Sequence, residues 1–393
     1  MKLWSMHILF TTNERNRVSS ELNIPNYARL CEVEGVKIDF FNRNYADYDV
    51  ILFMGYDAQV QEARLAKSDL IIGVIDPRPS TISLALGADF IIVNGLESQD
   101  VLANYFTNIF VYPIYPMLNL PLKEHKQRKP LIIGYHGNKV HLTAMYPYIS
   151  TALEELAKHH PIELWAVYDV KKMGELTFPL FESSQIPIRY FQWTREVYEV
   201  VIADMDIGIV PHLIPIAQED QVKMLIESDG RFYNEHVSEI LQRFKNTTNP
   251  GRLYVFSQLG IPVVAGMVPS AAQVIKDGYS GYLAQSTGGW YRALKNLADS
   301  PSLRTLMGQR LYEDFQSTVS ITSLNKRLVD YIQNLKPQDE LPVEKFLNAG
   351  NKIKMLANNH FYGGNPDQED DKKQVLDIKG LYNLLWHRLR SKI

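Results

Sequence analysis

Arg252 follows Asn249-Pro250-Gly251 and stands just before a helix-like segment. A cation beside the unpaired N–H groups of a helix start suits an anion, phosphate above all. The same residue could equally be a surface arginine on that helix. Gly137 and Asn138 close the run "LIIGYHGN", where an absent side chain lets backbone approach a ligand. They could also be only a strand-to-helix turn. Ser270 lies in the loop Val268-Pro269-Ser270, before a helix expected near Ala271, and its N–H groups can also face an anion. His212 follows the strand-end Pro211 and can point into a cleft, although a lone histidine is more often structural. Asp76 in "VIDPRP" can meet a hydroxyl group; the Pro-rich turn it would open is the favoured reading. His136 with His141, and His159 with His160, give no coherent ligand set, so no metal is expected.

The elements that must position these residues read as α/β. Apolar runs at 6–10, 36–41, 49–54, 70–75, 89–94 and 109–114 fit strands buried on both faces of a parallel sheet. "NYARLCEVEG" between the first two reads as a helix ending at Gly35. A polar, basic, proline-bracketed stretch at 119–130 reads as a linker, after which the rhythm restarts. Further strands are expected at 131–136, 162–168, 186–191, 206–211, 261–266 and 281–284. Leu142, Met145, Tyr146, Ile149, Leu153 and Leu156 form a helical stripe, and a later helix is expected to open at Trp290. The division expected is a first Rossmann-like domain at 1–120, a linker at 121–130, a second at 131–333 and a helical extension at 334–393. An insertion spans about 212–248.

Composition narrows the function classes. The 393 residues, 46% hydrophobic and 22% charged, describe an ordinary globular chain. A net charge of −3 gives no bulk reason to expect nucleic acid. A single cysteine, Cys31, excludes an intrachain disulfide and fits a reducing, cytoplasmic setting. The N-terminal apolar run is short for a signal peptide, and no window approaches the roughly 18 apolar residues of a membrane span. In the last segment, Ile378, Leu381, Tyr382, Leu385 and Leu389 share a helical face. Residues 378–393 could therefore lie peripherally on the inner face of a membrane, although docking on the first domain is preferred.

Three stretches taken in order carry a resemblance: "ADMDIGIVP" (203–211), "NPGRLYVFSQLGIPVVAG" (249–266) and "VIKDGYSGYLA" (274–284). With "IGYHGN" they resemble the donor half of GT-B glycosyltransferases, particularly the large retaining group (glycosyltransferase group 1, family 4-like). The resemblance covers residues 131–316 well and the first domain mainly in layout. It implies two Rossmann-like doubly wound domains facing across a cleft. It also implies transfer of a sugar from a nucleotide-sugar donor to a hydroxyl acceptor, a glycan, polysaccharide or lipid-linked saccharide. Neither metal nor cofactor is implied, so side-chain cations and N–H groups must neutralise the diphosphate. The donor would meet Gly137, Asn138, His212, Asn249, Arg252 and Ser270, with Asp76 and Arg252 in catalytic roles.

The departures matter. Aligning on Arg252 puts Val255 where the family carries a glutamate, and Gln273 stands where an acidic residue is common. Glu219 and Glu227 have the family's glutamate separation but lie too far upstream, so the match reads as coincidence. A catalytically inactive glycosyltransferase-like subunit bound to an active protein partner therefore stays open. So does a sugar-nucleotide epimerase, though the clustered carboxylates and histidines it needs are not found.

Overall fold

The structure is a computed structural model that describes residues 5–15, 18–77, 79–103, 105–177, 180–181, 186–213 and 248–336. The Glu219/Glu227 pair, most of the 212–248 insertion and the 378–393 segment lie outside the described residues. Two six-stranded sheets organise the chain. The first runs β2-β1-β3-β4-β5-β6 and the second β12-β11-β10-β7-β8-β9, with every neighbouring pair parallel.

In the first sheet β1 is Met6–Thr11, β2 Val36–Phe40, β3 Val50–Met54, β4 Ile71–Ile75, β5 Phe90–Val93 and β6 Ile109–Val111. In the second β7 is Leu131–His136, β8 Ile162–Tyr168, β9 Ile188–Gln192, β10 Ile207–Val210, β11 Val263–Gly266 and β12 Tyr282–Ala284. The central strands are buried along their whole length, VILFM in β3 and FIIV in β5 among them. Helices cover both faces, so an unbroken apolar run is what each such strand needs. These are two Rossmann-like, doubly wound units, as expected from the strand pattern.

Strand order reverses beside β1 in the first sheet and beside β7 in the second. At such a switch point the connections leaving adjacent strands diverge to opposite faces and open a crevice at the carboxyl ends. Each sheet thus has one built-in place for a ligand.

Three helices differ from expectation. The first spans Val18–Ala28 and continues as a 3₁₀ turn at Arg29–Glu32, with Pro25 inside it. A proline reads as a boundary because it lacks an N–H, but burial of Ser20 and Asn23 before it and of Tyr27 after it holds the turns on either side. The single stripe at 142–156 becomes two helices, Lys139–Thr143 and Tyr148–Ala157. Pro147 stands between them and cannot donate to a continuous ladder. The later helix starts at Thr287, three residues before Trp290, where Ser286 caps it by accepting from the Gly289 N–H.

The halves share one apolar core, in which Tyr115 of the first sheet's half packs its ring against Tyr254 and Phe315 of the second's. The helix Ile321–Gln333, C-terminal to the second sheet in sequence, packs on the 3₁₀ turn of the first half. There Asn325 donates to the Asn26 carbonyl (3.0 Å) and accepts from the Tyr112 hydroxyl (2.9 Å). Among the described residues no helix is long and apolar enough to cross a membrane.

Candidate functional site

The second sheet's switch point gathers four of the expected residues. β7 ends at His136 and runs into Gly137 and Asn138; β10 ends at Val210, followed by Pro211 and His212. Facing them, the helix Gly251–Gln258 presents Arg252 from its first turn. Gly137 has φ 134°, and a Cβ there would lie 2.8 Å from Arg252 Cδ. Glycine is therefore required both by backbone and by space. Asn138 caps the next helix, its Oδ1 accepting from the Val140 N–H at 2.9 Å.

Arg252 Nη2 donates to His212 Nδ1 at 3.3 Å. A guanidinium has only donors, so Nδ1 is the acceptor and the His212 proton sits on Nε2. His212 is 1% exposed and takes a left-handed backbone, φ 55°. Among the described residues, its Nε2 and Arg252 Nη1 are both shielded from water and have no hydrogen-bond partner. Buried donors without acceptors are rare and costly. Two of them on touching side chains form a cradle for an oxygen-rich anion.

The surroundings hold this pair in place. The Tyr135 hydroxyl donates to the Asn138 carbonyl and lies beside the guanidinium. Burial pushes that phenol up to about 12, with the Arg252 charge opposing. Burial likewise lowers the pKa of the guanidinium. His136 Nε2 contacts the Arg252 carbonyl at 3.1 Å, and the Tyr198 hydroxyl meets its Nδ1 at 3.2 Å. With the carbonyl as acceptor, Nε2 donates and Nδ1 accepts. His136 thereby anchors the first turn of the arginine's helix. Tyr135 and Tyr198 carried no sequence signal, since each looks like an ordinary core aromatic.

Both histidines are neutral in the folded chain at neutral pH. Burial first, then the Arg252 charge, holds His136 at about 3 and His212 well below its ordinary value. An unfolded histidine takes its proton near pH 6.5, so below that the unfolded state binds more protons and stability falls. The stability is present above about pH 6.5 and drains away as pH drops toward 3, at up to about 1.4 kcal/mol per unit for each imidazole. Urea unfolding at pH 7 and at pH 5.5 should show this fall, and His136→Asn should flatten it. An unchanged slope in that variant would place the proton uptake elsewhere.

The other expected residues are engaged differently. Asn249 accepts from the Gly251 N–H (3.0 Å) and donates to the Ile114 carbonyl (2.8 Å), tying the helix start to the first half. Ser270 gives its N–H (3.0 Å) and its hydroxyl to the two carboxylate oxygens of Glu97, which reaches across from the first half. While that pair holds, neither donor is open to a phosphate. Asp76 directly follows β4 in the first sheet with φ 52°, and its Oδ1 accepts from Asn94 Nδ2 at 2.6 Å. It lies in the first sheet's half, whereas Arg252 lies on a helix of the second's. Val255 is buried in the core, so the arginine's helix carries no carboxylate at the position where the resemblance expects one.

The Glu97–Ser270 contact makes its own prediction. Removing the serine hydroxyl leaves a buried carboxylate short of one donor, and Glu97→Ala leaves two donors orphaned. Glu97→Ala is expected to lower unfolding free energy by about 2–3 kcal/mol and Ser270→Ala by about 1–2 kcal/mol. The double variant should cost less than the sum in urea titrations; full additivity would show the contact to be energetically idle.

Two Rossmann-like units in one chain make up the GT-B architecture, and the chain has the GT-B fold. It is similar to sucrose-phosphate synthase from Thermosynechococcus elongatus, with TM-score 0.51 and 10% identity over 84% of this chain and 99% of that one. It is also similar to Anabaena HepE, solved in complex with UDP, with TM-score 0.50 and 11% identity over 84% of this chain and 100% of that one. No protein-family model matches the sequence, and no curated protein matches it.

Proposed function

We propose that this chain is a glycosyltransferase that moves a sugar from a nucleotide-diphosphate donor to a hydroxyl acceptor without a metal. The observation that carries the reading is the pair of orphaned buried donors, Arg252 Nη1 and His212 Nε2, at the second sheet's switch point. A diphosphate leaving group gains negative charge as the glycosidic bond breaks, and preorganised donors in a dry site stabilise that charge most. Arg252 would hold the diphosphate, and His212, kept neutral, would donate from Nε2. Gly137 leaves room for the arginine stem itself, which packs where a side chain would otherwise stand. In this reading the second domain (131–333) binds the donor and the first (1–120) shapes the acceptor side. Retention of anomeric configuration is what the sequence resemblance implies.

A thermal-shift screen against UDP, GDP, CMP, ADP and dTDP tests the donor site. A ligand at about 100 times its dissociation constant should add about 2.7 kcal/mol to the folded state. No stabilisation by any nucleotide would sink the reading. The buried Val255, in place of a family glutamate, favours one second reading: a binding subunit of an active partner. Slow hydrolysis of the stabilising nucleotide's sugar ester separates the two, because a non-catalytic subunit should show none.

A further inference from the structure

The first sheet has its own switch point, beside β1, and a pocket of about 290 Å³ opens there. Its walls are the chain leaving β1 (Thr12, Asn13 and Arg15), the chain leaving β2 (Phe41 and Arg43), and Gln59 ahead of the next helix. No acidic residue lines it. We infer that this pocket binds an anionic group, phosphate or carboxylate, on the acceptor saccharide; the word acceptor rests on the function proposed above.

Each cation is held in place from within the protein. Phe41 has φ 62°, a conformation that bulky residues avoid and that persists only where the surroundings impose it. Its ring packs on Phe10 and Phe40, and the Arg15 guanidinium lies 4.0 Å from its centroid. Arg43 donates to Asn13 Oδ1 at 3.1 Å, which draws the second guanidinium to the opposite wall. Asn42 Oδ1 accepts from the N–H groups of Arg43 (2.7 Å) and Asn44 (3.0 Å), which sets that turn. Asp57 stands behind the wall: its Oδ2 accepts from the Thr12 hydroxyl and the Asn13 N–H. Arg15 and Arg43 enter no salt bridge among the described residues. Two uncompensated cations are thus held facing one polar pocket, at the place where a doubly wound sheet accepts ligands. A guanidinium fork matches phosphate or carboxylate oxygens, and a neutral sugar would leave both charges unanswered.

Calorimetric titration of the full chain, with UDP saturating the donor side, tests this using glucose 6-phosphate, glucuronate and glucose. At least one anionic probe should bind about tenfold or more tightly than glucose, and the advantage should shrink with salt. Preference for glucose 6-phosphate alone identifies phosphate as the group; preference for glucuronate alone identifies carboxylate. Arg15→Ala and Arg43→Ala should each erase most of the preference while leaving UDP affinity unchanged. Equal binding of the three probes overturns the inference. So does an anion preference that survives in the double Arg15→Ala/Arg43→Ala variant, or one abolished by Arg252→Ala instead. If UDP itself fails to bind while the arginine-dependent preference persists, the donor assignment falls and the anion pocket stands.

Discussion

Arg252→Ala is expected to weaken nucleotide-diphosphate binding by about two to three orders of magnitude while costing the unliganded fold little. The first half follows from replacing charge-assisted hydrogen bonds, each contributing about 1.5–3 kcal/mol, with nothing. The second follows from the desolvation of the arginine. Its Nη1 is shielded and unpartnered, and burial lowers its pKa, so the unliganded protein holds a cation at a cost. Truncation removes that cost along with the bond to His212 Nδ1. Arg252→Lys keeps charge but not the two-pronged donor, so its loss should fall between wild type and alanine. Calorimetric titration with UDP, alongside urea unfolding of the free protein, reads both quantities. A variant that loses stability and binding together would make Arg252 a structural residue rather than a ligand-binding one.

Gly251→Ala is the second large effect, and it acts through backbone. A Cβ at Gly251 would lie 1.9 Å from the Ile114 carbonyl oxygen, and neither atom belongs to a side chain that can swing away. The helix carrying Arg252 must withdraw from the first half, breaking the Asn249 bond to the same carbonyl. A loss of about 3 kcal/mol is expected from such overpacking. That corresponds to a fall in Tm of roughly 6–12 °C for a unit of this size, read by calorimetry. Binding of UDP should weaken as well, because Arg252 moves with its helix. Gly288 is the control: nothing lies within 4 Å of its Cβ position. Gly288→Ala should be neutral or stabilise its helix by up to about 1 kcal/mol. Equal melting of the two variants would show that the interface tolerates displacement at Gly251.

How much of this was legible in the residues depends on the range of each interaction. Strands such as VILFM and FIIV announce themselves, because burial on both faces leaves no polar alternation to read. The positions of Arg252 at a helix start and Gly137 after a strand were legible too, since both are local patterns. The first helix, expected over 26–35, begins at Val18 instead, because burial of Ser20 and Asn23 holds the earlier turns. The resemblance placed Ser270 and Asn249 at the donor. The folded chain engages them with Glu97 and Ile114, residues 173 and 135 positions away.

The amino-acid sequence by itself determined the α/β character and the strand positions. Only the tertiary structure decided strand order, and with it the two switch points. Strand order is set by which apolar faces pack together across the whole chain, and no short stretch encodes that. It sets His212 against an arginine 40 residues further on, and so leaves two donors buried and unanswered. It also brings Arg15 and Arg43 to one pocket, since each follows a strand whose neighbour is chosen by the sheet rather than by the chain.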